Sequence, residues 1–226
     1  MAQGDLILMG PPGSGKGTQA RRMVDELGYM QLATGDLFRA HLSQGTELGR
    51  LAQTYMSKGQ YVPDDVTVKM VRERLADIPR KTRIVFDGFP RTVAQAEALN
   101  KLLKECSRSL AAVLLLDVPR DELLVRLGAR ATCSRCQTVY SLAVRPPKVP
   151  GVCDRCGGPV SATARSDESP EVVKKRLEIY ENETKPVIDY YEKHGVLQRV
   201  SGVGTMDEIG ARLTALLDRR KGGRDK

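Results

Sequence analysis

A glycine-rich run near the start of the chain constrains the fold more than any other feature. Residues Gly10–Lys16 read GPPGSGK and fit the pattern G-x-x-x-x-G-K, with an apolar segment before them and an amphipathic segment after them. Between a strand and a helix, such glycines let backbone amides turn inward around an anion, while Lys16 adds a mobile positive charge. The run therefore predicts a phosphate-binding loop (P-loop) on an α/β fold. The alternative is a glycine turn with a chance lysine.

Strand-sized segments alternate with helix-length amphipathic segments along most of the chain. The pattern predicts strands near residues 5–9, 29–33, 83–87, 111–117 and 196–200, and helices after Gly15 and over 93–105, 120–130, 170–194 and 206–218. This alternation predicts the three-layer fold of P-loop NTPases, a five-stranded parallel sheet with helices on both faces. Residues 111–116 are continuously apolar, so we expect that strand to be central.

Two segments interrupt the alternation. Residues 34–66 have helical patterns but no strand, and residues 131–168 are rich in Cys, Pro and Gly without apolar periodicity. Each is predicted to be an inserted flap. The core domain then comprises residues 1–33, 67–130 and 169–226.

Composition narrows the classes of partner. Of the 226 residues 41% are hydrophobic and 28% are charged, and the formal net charge is +8, which suits polyanions such as nucleic acid or nucleotides. With no Trp and only 3 Phe, the chain has few aromatic platforms for single strands. No apolar run approaches the roughly 20 residues of a membrane span, and the N-terminal segment lacks a signal-peptide pattern. We expect a cytoplasmic protein that binds neither membranes nor nucleic acid.

Four cysteines form two C-x-x-C pairs. Cys133 and Cys136 are separated by sixteen residues from Cys153 and Cys156, the spacing of a closed, structural zinc site with four cysteine ligands. Disulfides or free thiols are the alternatives. A zinc-ribbon nucleic-acid-binding protein would also fit these cysteines and the charge, but it would leave the P-loop unexplained.

Over almost its whole length the chain resembles the adenylate kinase family. The family's loop, G-x-P-G-x-G-K-G-T, is matched by residues 10–18, so that Gly17 stands where other P-loops have Ser or Thr. TGDLFR at 34–39, YVPD at 61–64 and DGFPRT at 87–92, followed by Gln95, are similar to the family's monophosphate site. The resemblance implies reversible, Mg²⁺-dependent conversion of ATP and AMP to two ADP by a monomer, with 34–66 as AMP flap and 131–168 as zinc lid.

The resemblance also implies individual site residues. The resemblance implies that seven residues contact the reacting phosphates or magnesium: Lys16, Asp87, Arg91, Arg126, Arg130, Arg165 and Arg176. For ATP it implies Gly13, Ser14, Gly15, Lys16, Gly17, Thr18, Arg126, Arg130, Val139, Tyr140 and Gly204. For AMP it implies Thr34, Arg39, Gln60, Tyr61, Val62, Gly88, Phe89, Pro90, Arg91, Gln95, Arg165 and Arg176. Arg126 and Arg130 are expected on one helix face, and Tyr140 could equally pack the lid.

The principal alternative is another nucleoside monophosphate kinase, because the P-loop is common to all of them. Thr34, Thr92 and Gln95 favour AMP, since kinases of UMP and CMP usually have Ala and Asn at the first two positions and a short lid. A GTP:AMP phosphotransferase remains open, because the donor base is read partly by backbone groups.

Overall fold

A parallel sheet of five strands organises the protein, as the sequence predicts. The computed structural model describes residues 4–143, 145–162 and 169–219. Its strands are β1 (Asp5–Met9), β2 (Met30–Ala33), β3 (Ile84–Asp87), β4 (Leu110–Asp117), β5 (Arg130–Cys133), β6 (Val139–Ser141), β7 (Val160–Ser161) and β8 (Leu197–Ser201). The large sheet has the order β2-β3-β1-β4-β8 with every pair parallel. The apolar strand β4 is thus interior, although β1 occupies the middle.

Nine α-helices are described around and between these strands. They are α1 (Lys16–Leu27), α2 (Thr34–Ser43), α3 (Glu47–Met56), α4 (Asp64–Ala76), α5 (Val93–Glu105), α6 (Arg120–Gly128), α7 (Pro170–Ile179), α8 (Lys185–Lys193) and α9 (Met206–Arg219). No described helix combines the length and the apolar character that a membrane crossing needs.

Alternate residues of each strand face opposite layers of the core. Ile7 and Phe86 lie in one apolar cluster with Leu99 of α5 and Tyr191 of α8. Leu6, Leu8 and Val85 lie in a second cluster with Met23 of α1 and Leu213 of α9. Since strand side chains alternate between faces, one sheet is covered by helices on both sides. The predicted three-layer fold is therefore confirmed.

The expected helix over 120–130 is wrong at its end. Helix α6 stops at Gly128, and Arg130 begins β5, where it pairs in register with Ser141 of β6. The backbone N–H and C=O groups that a longer helix would bond internally are instead bonded between β5 and β6. Arg126 and Arg130 therefore do not share a helix face.

The expected helix over 170–194 is interrupted. A π-helical turn, Tyr180–Thr184, separates α7 from α8, and the amide of Lys185 donates to the carbonyl of Tyr180, five residues earlier. Pro186 follows directly and has no N–H for the regular helical bond, so the widened turn accommodates it. The turn also places Thr184 in the interior, 5% exposed.

Two smaller apolar clusters contain residues of the two segments that interrupt the alternation. Helices α2 and α3 with the start of α4 enclose an apolar cluster that contains Phe38, Ala52, Val62 and Met70. Helix α4 was not predicted, and it runs across the expected boundary at residue 66. Strand β5 pairs antiparallel with β6 and β7 in a second, three-stranded sheet between α6 and α7.

Candidate functional site

The P-loop connects the end of β1 to the start of α1. Gly15 caps α1 with φ of 92°, a left-handed conformation that favours glycine, and no side chain caps the helix there. A Cβ atom on Gly10 would lie 2.7 Å from the carbonyl oxygen of Leu116 in β4. The loop thus packs tightly on the sheet and presents the positive end of α1 to solvent, which is an anion-binding arrangement.

Lys16 folds back on this loop. Its Nζ donates to the carbonyl oxygens of Gly10 at 2.5 Å and Pro11 at 2.8 Å. Desolvation lowers the pKa of Lys16 to about 7, against the opposing effect of Asp87 and with help from three nearby arginines. The lysine is therefore only partly charged near neutral pH.

Asp87 lies at the carboxyl end of β3, against the loop. Gln31 Nε2 donates to its Oδ2 at 3.0 Å, and a Cβ on Gly17 would lie 3.3 Å from the same oxygen. Burial raises the pKa of Asp87, although Lys16 opposes that shift. Because Gly17 has no side chain, the Asp87 carboxylate can lie close beside the loop.

A cleft of about 620 Å³ opens at this edge of the sheet. Of the residues predicted from the sequence, it is lined by Gly13, Gly15, Lys16, Gly17, Thr18, Arg39, Gln60, Tyr61, Asp87, Gly88, Pro90, Arg91, Arg126, Arg130, Val139, Tyr140, Arg176 and Gly204. Six of the seven residues expected on the phosphates and magnesium come from different parts of the chain and meet around this cavity. The seventh, Arg165, falls outside the described residues.

Five other predicted residues do not line this cleft. Thr34, Val62 and Gln95 line a smaller cavity of about 40 Å³ that shares Gln60, Tyr61 and other residues with it. Ser14 is fully buried beneath the loop, and the Phe89 side chain belongs to the core.

The arginines of the cleft are held by protein groups. Arg91 Nε donates to the carbonyl of Gly88 at 2.7 Å, and its guanidinium lies 4.8 Å above the ring of Tyr61. Arg39 pairs with Asp36 on the same helix, while its buried Nε has no hydrogen-bond partner among the described residues. A buried donor of this kind suits an anionic ligand.

Arg126 joins helix α6 to the turn that follows β8. Its Nε donates to Glu122 at 2.9 Å, and a terminal nitrogen donates to the carbonyl of Gly202 at 3.0 Å. One guanidinium edge is thus already used by the protein.

The four cysteines of the second sheet lie together. Their sulfur atoms are all within 4.8 Å of one another, and the Cys133–Cys156 and Cys136–Cys153 pairs are 3.6 Å apart. Tetrahedral zinc with Zn–S bonds of about 2.3 Å requires sulfur separations of about 3.8 Å. The four thiols therefore fit a zinc site made of cysteine ligands alone.

Tyr140 belongs to this cysteine cluster as well as to the cleft. It is 3% exposed; its hydroxyl donates to Cys153 Sγ at 3.4 Å and accepts from the amide of Asp154 at 2.9 Å. These contacts favour the lid-packing interpretation of Tyr140.

Sequence reasoning missed two contacts between the insertions and the core. Arg21 of α1 donates to the carbonyl of Cys136 and to Thr138 Oγ1, each at 3.4 Å. Thr184 donates to the carbonyl of Arg91 at 2.9 Å and shares a 2.8 Å hydrogen bond with the Tyr61 hydroxyl. No motif marks these residues, because each contact joins segments distant in sequence.

Comparison with known proteins decides the family. A sequence profile described as adenylate kinase matches residues 8–196. The chain belongs to the adenylate kinase family. Among its relatives are proteins named adenylate kinase from Thermodesulfovibrio yellowstonii, 48% identical over 95% of this chain and 99% of the relative, and Syntrophobacter fumaroxidans, 46% identical over 94% and 99%. One from Archaeoglobus fulgidus is 43% identical over 96% of this chain and 99% of its own.

The depressed pKa of Lys16 predicts proton uptake on anion binding. At pH 8 a lysine of pKa about 7 is mostly neutral, and a bound polyphosphate should return its pKa toward 10.5. Binding of inorganic tripolyphosphate should then take up nearly one proton at pH 8 and little at pH 6, where the lysine is already charged. Calorimetry in buffers of different ionisation enthalpy measures this uptake. The same measurement on Lys16→Met gives the protons that the ligand itself takes up, and this value is subtracted. Equal uptake by the two proteins at pH 8 would contradict the assignment of the proton to Lys16.

Proposed function

We propose that the protein catalyses reversible phosphoryl transfer between ATP and AMP to give two ADP, within adenine nucleotide homeostasis. The observation that carries the proposal is the meeting of the P-loop, Asp87 and several arginines around one cleft in a chain of the adenylate kinase family. All these residues come from one chain, so the proposal needs only a monomer.

The chemistry requires alignment and positive charge more than covalent help. Phosphoryl transfer passes through a loose transition state, with negative charge spread over the equatorial oxygens of the moving group. In this proposal the P-loop amides and Lys16 bind the phosphates of ATP, and Arg39 and Arg91 bind the phosphate of AMP. The planar guanidinium fork suits two oxygens at once. Arg126, Arg130 and Arg176, with Arg165, complete the charge around the transferred group.

Asp87 would hold Mg²⁺, through water, at the end of β3. The fit rests on its carboxylate, which lies beside Gly17 and has a raised pKa that a cation would oppose. When bound, the metal would supply charge to the donor phosphates. Gln31 fixes one oxygen of Asp87, which leaves the other for a water ligand.

The two insertions act as closing flaps in this proposal. Residues 34–66 cover AMP, and residues 131–168 form the lid over ATP, with Val139 and Gly204 near the donor nucleoside. Closure would exclude water, so that phosphate goes to AMP instead of being hydrolysed. The Arg21 and Thr184 contacts support it, because they already tie each insertion to the core.

The lid is proposed to be stabilised by one structural Zn²⁺ on Cys133, Cys136, Cys153 and Cys156. A segment of about forty residues buries little apolar surface, and units of that size usually need a metal or crosslink. Four thiolates leave no open coordination position, so the ion would contribute folding energy instead of catalysis. Such a site needs reduced thiols, which fits the cytoplasm.

The reaction is tested by measuring ADP formation from ATP and a panel of monophosphates. Wild-type protein should convert AMP in a Mg²⁺-dependent reaction. Arg91→Ala should lower kcat/KM for AMP by roughly 10²-fold or more, because positioned charge supplies most of the catalysis. Arg72→Ala is the matched control, since Arg72 is 57% exposed and pairs only with Glu105 in the described contacts. Conversion of CMP or GMP but not AMP, or near-normal turnover by folded Arg91→Ala, would contradict the proposal.

Metal content tests the lid. Wild-type protein purified under reducing conditions should hold one zinc per chain, and Cys153→Ala should lose it and unfold at a temperature several degrees lower. Turnover at moderate temperature should largely persist, because the ion lies away from the phosphates. Cys106→Ala, outside the cluster, should keep zinc and stability. Zinc well below stoichiometry in the wild type, or lost turnover without lost stability, would count against a structural role.

A further inference from the structure

Asp64, at the start of α4, joins the first insertion to the start of α5. Its Oδ2 accepts from Thr92 Oγ1 and its Oδ1 accepts from Gln95 Nε2, each at 2.6 Å. Thr92 caps α5, with its hydroxyl oxygen accepting from the amide of Gln95 at 3.1 Å. The sequence analysis placed Asp64 only within a segment that is similar to the family's monophosphate site and gave it no role of its own.

The surroundings of Gln95 fix which way its side-chain amide faces. Its Oε1 accepts from the backbone amide of Arg91 at 2.8 Å, while its Nε2 donates to Asp64. An ionised carboxylate can only accept, and a backbone N–H can only donate. Turning the amide over would set oxygen against carboxylate and N–H against N–H. Gln95 is 2% exposed, so water cannot relieve such contacts.

One N–H and one oxygen lone pair of Gln95 remain beside the small cavity that Thr34 and Gly88 also line. The edge of a 6-aminopurine offers an acceptor at N1 and a donor at the amino group. The edge of a 6-oxopurine offers the reverse, a donor at N1 and an acceptor at O6. An amide that can turn over pairs with either edge, whereas a locked amide pairs with only one.

We propose that Asp64 is a positioning residue that locks the Gln95 amide and so makes the site select AMP over IMP. This inference rests on the proposed function, and it takes Gln95, one of the AMP residues that the family resemblance implies, to face the base of AMP. Asp64 acts through Gln95 and does not touch the nucleotide. Because the carboxylate holds the amide in one orientation, a bound 6-oxopurine would set donor against donor and acceptor against acceptor in a buried site. Such mispairing costs more binding free energy than the loss of one contact.

The test compares kcat/KM for AMP and IMP, which differ only at the edge in question. Asp64→Ala removes the carboxylate that opposes a turned-over amide, so that only the Arg91 N–H still opposes it. Asp64→Asn keeps the shape but can itself donate to Gln95 Oε1 in the turned-over amide. Each should lower the AMP:IMP ratio by about tenfold or more, the cost of one mispaired buried hydrogen bond. The KM for ATP should stay unchanged, which a general loss of fold would not allow.

Asp65→Ala is the matched control, because Asp65 is the neighbouring acid in the first turn of α4 and is exposed. It should keep the wild-type ratio. Gln95→Ala should lower the AMP:IMP ratio the most, and its value defines the ratio expected without any contact from the Gln95 amide. A ratio that falls in Gln95→Ala but stays at the wild-type value in Asp64→Ala and Asp64→Asn would overturn the lock alone. Failure of the wild type to phosphorylate AMP would instead overturn the proposed function.

Discussion

The parallel direction of the large sheet is the constraint on which the rest of the structure depends. Because all five strands run the same way, their carboxyl ends meet at one edge, where ligands of open α/β sheets bind. The P-loop leaves β1 there, and Asp87 and Arg91 leave β3. The turn after β8 brings the Gly202 carbonyl to Arg126. Residues far apart in sequence therefore reach one cleft.

Gathering so many cations in one place requires partners for them within the protein. Arg39 is paired with Asp36, Arg126 with Glu122, and Lys16 lies on the carbonyls of its own loop. The pKa of Lys16 is lowered for a related reason, because desolvation and the neighbouring arginines disfavour its charged form. A polyanion would offer these groups stronger partners than the ones they hold. In the proposed function the cleft is therefore preorganised for phosphate, because phosphate can replace the protein groups that now pair with its cations.

Local patterns predicted the parts of the molecule that local physics determines. The glycine run, the five strands and the four cysteines follow from backbone freedom, side-chain periodicity and ligand spacing, and the structure places them as expected. Arg130 was misplaced because pairing with β6 overrode a helical pattern. Asp64 was overlooked because its partners lie 28 and 31 positions away, and no spacing rule connects them. Packing between distant segments decides such contacts.

In the proposed reaction one cleft holds the donor and acceptor phosphates together. A molecule with two adenosines joined by a pentaphosphate spans both positions, so it tests the claim directly. We expect one molecule to bind per chain and to compete with both ATP and AMP in initial-rate kinetics. Two molecules per chain, or competition with only one of the two substrates, would contradict it.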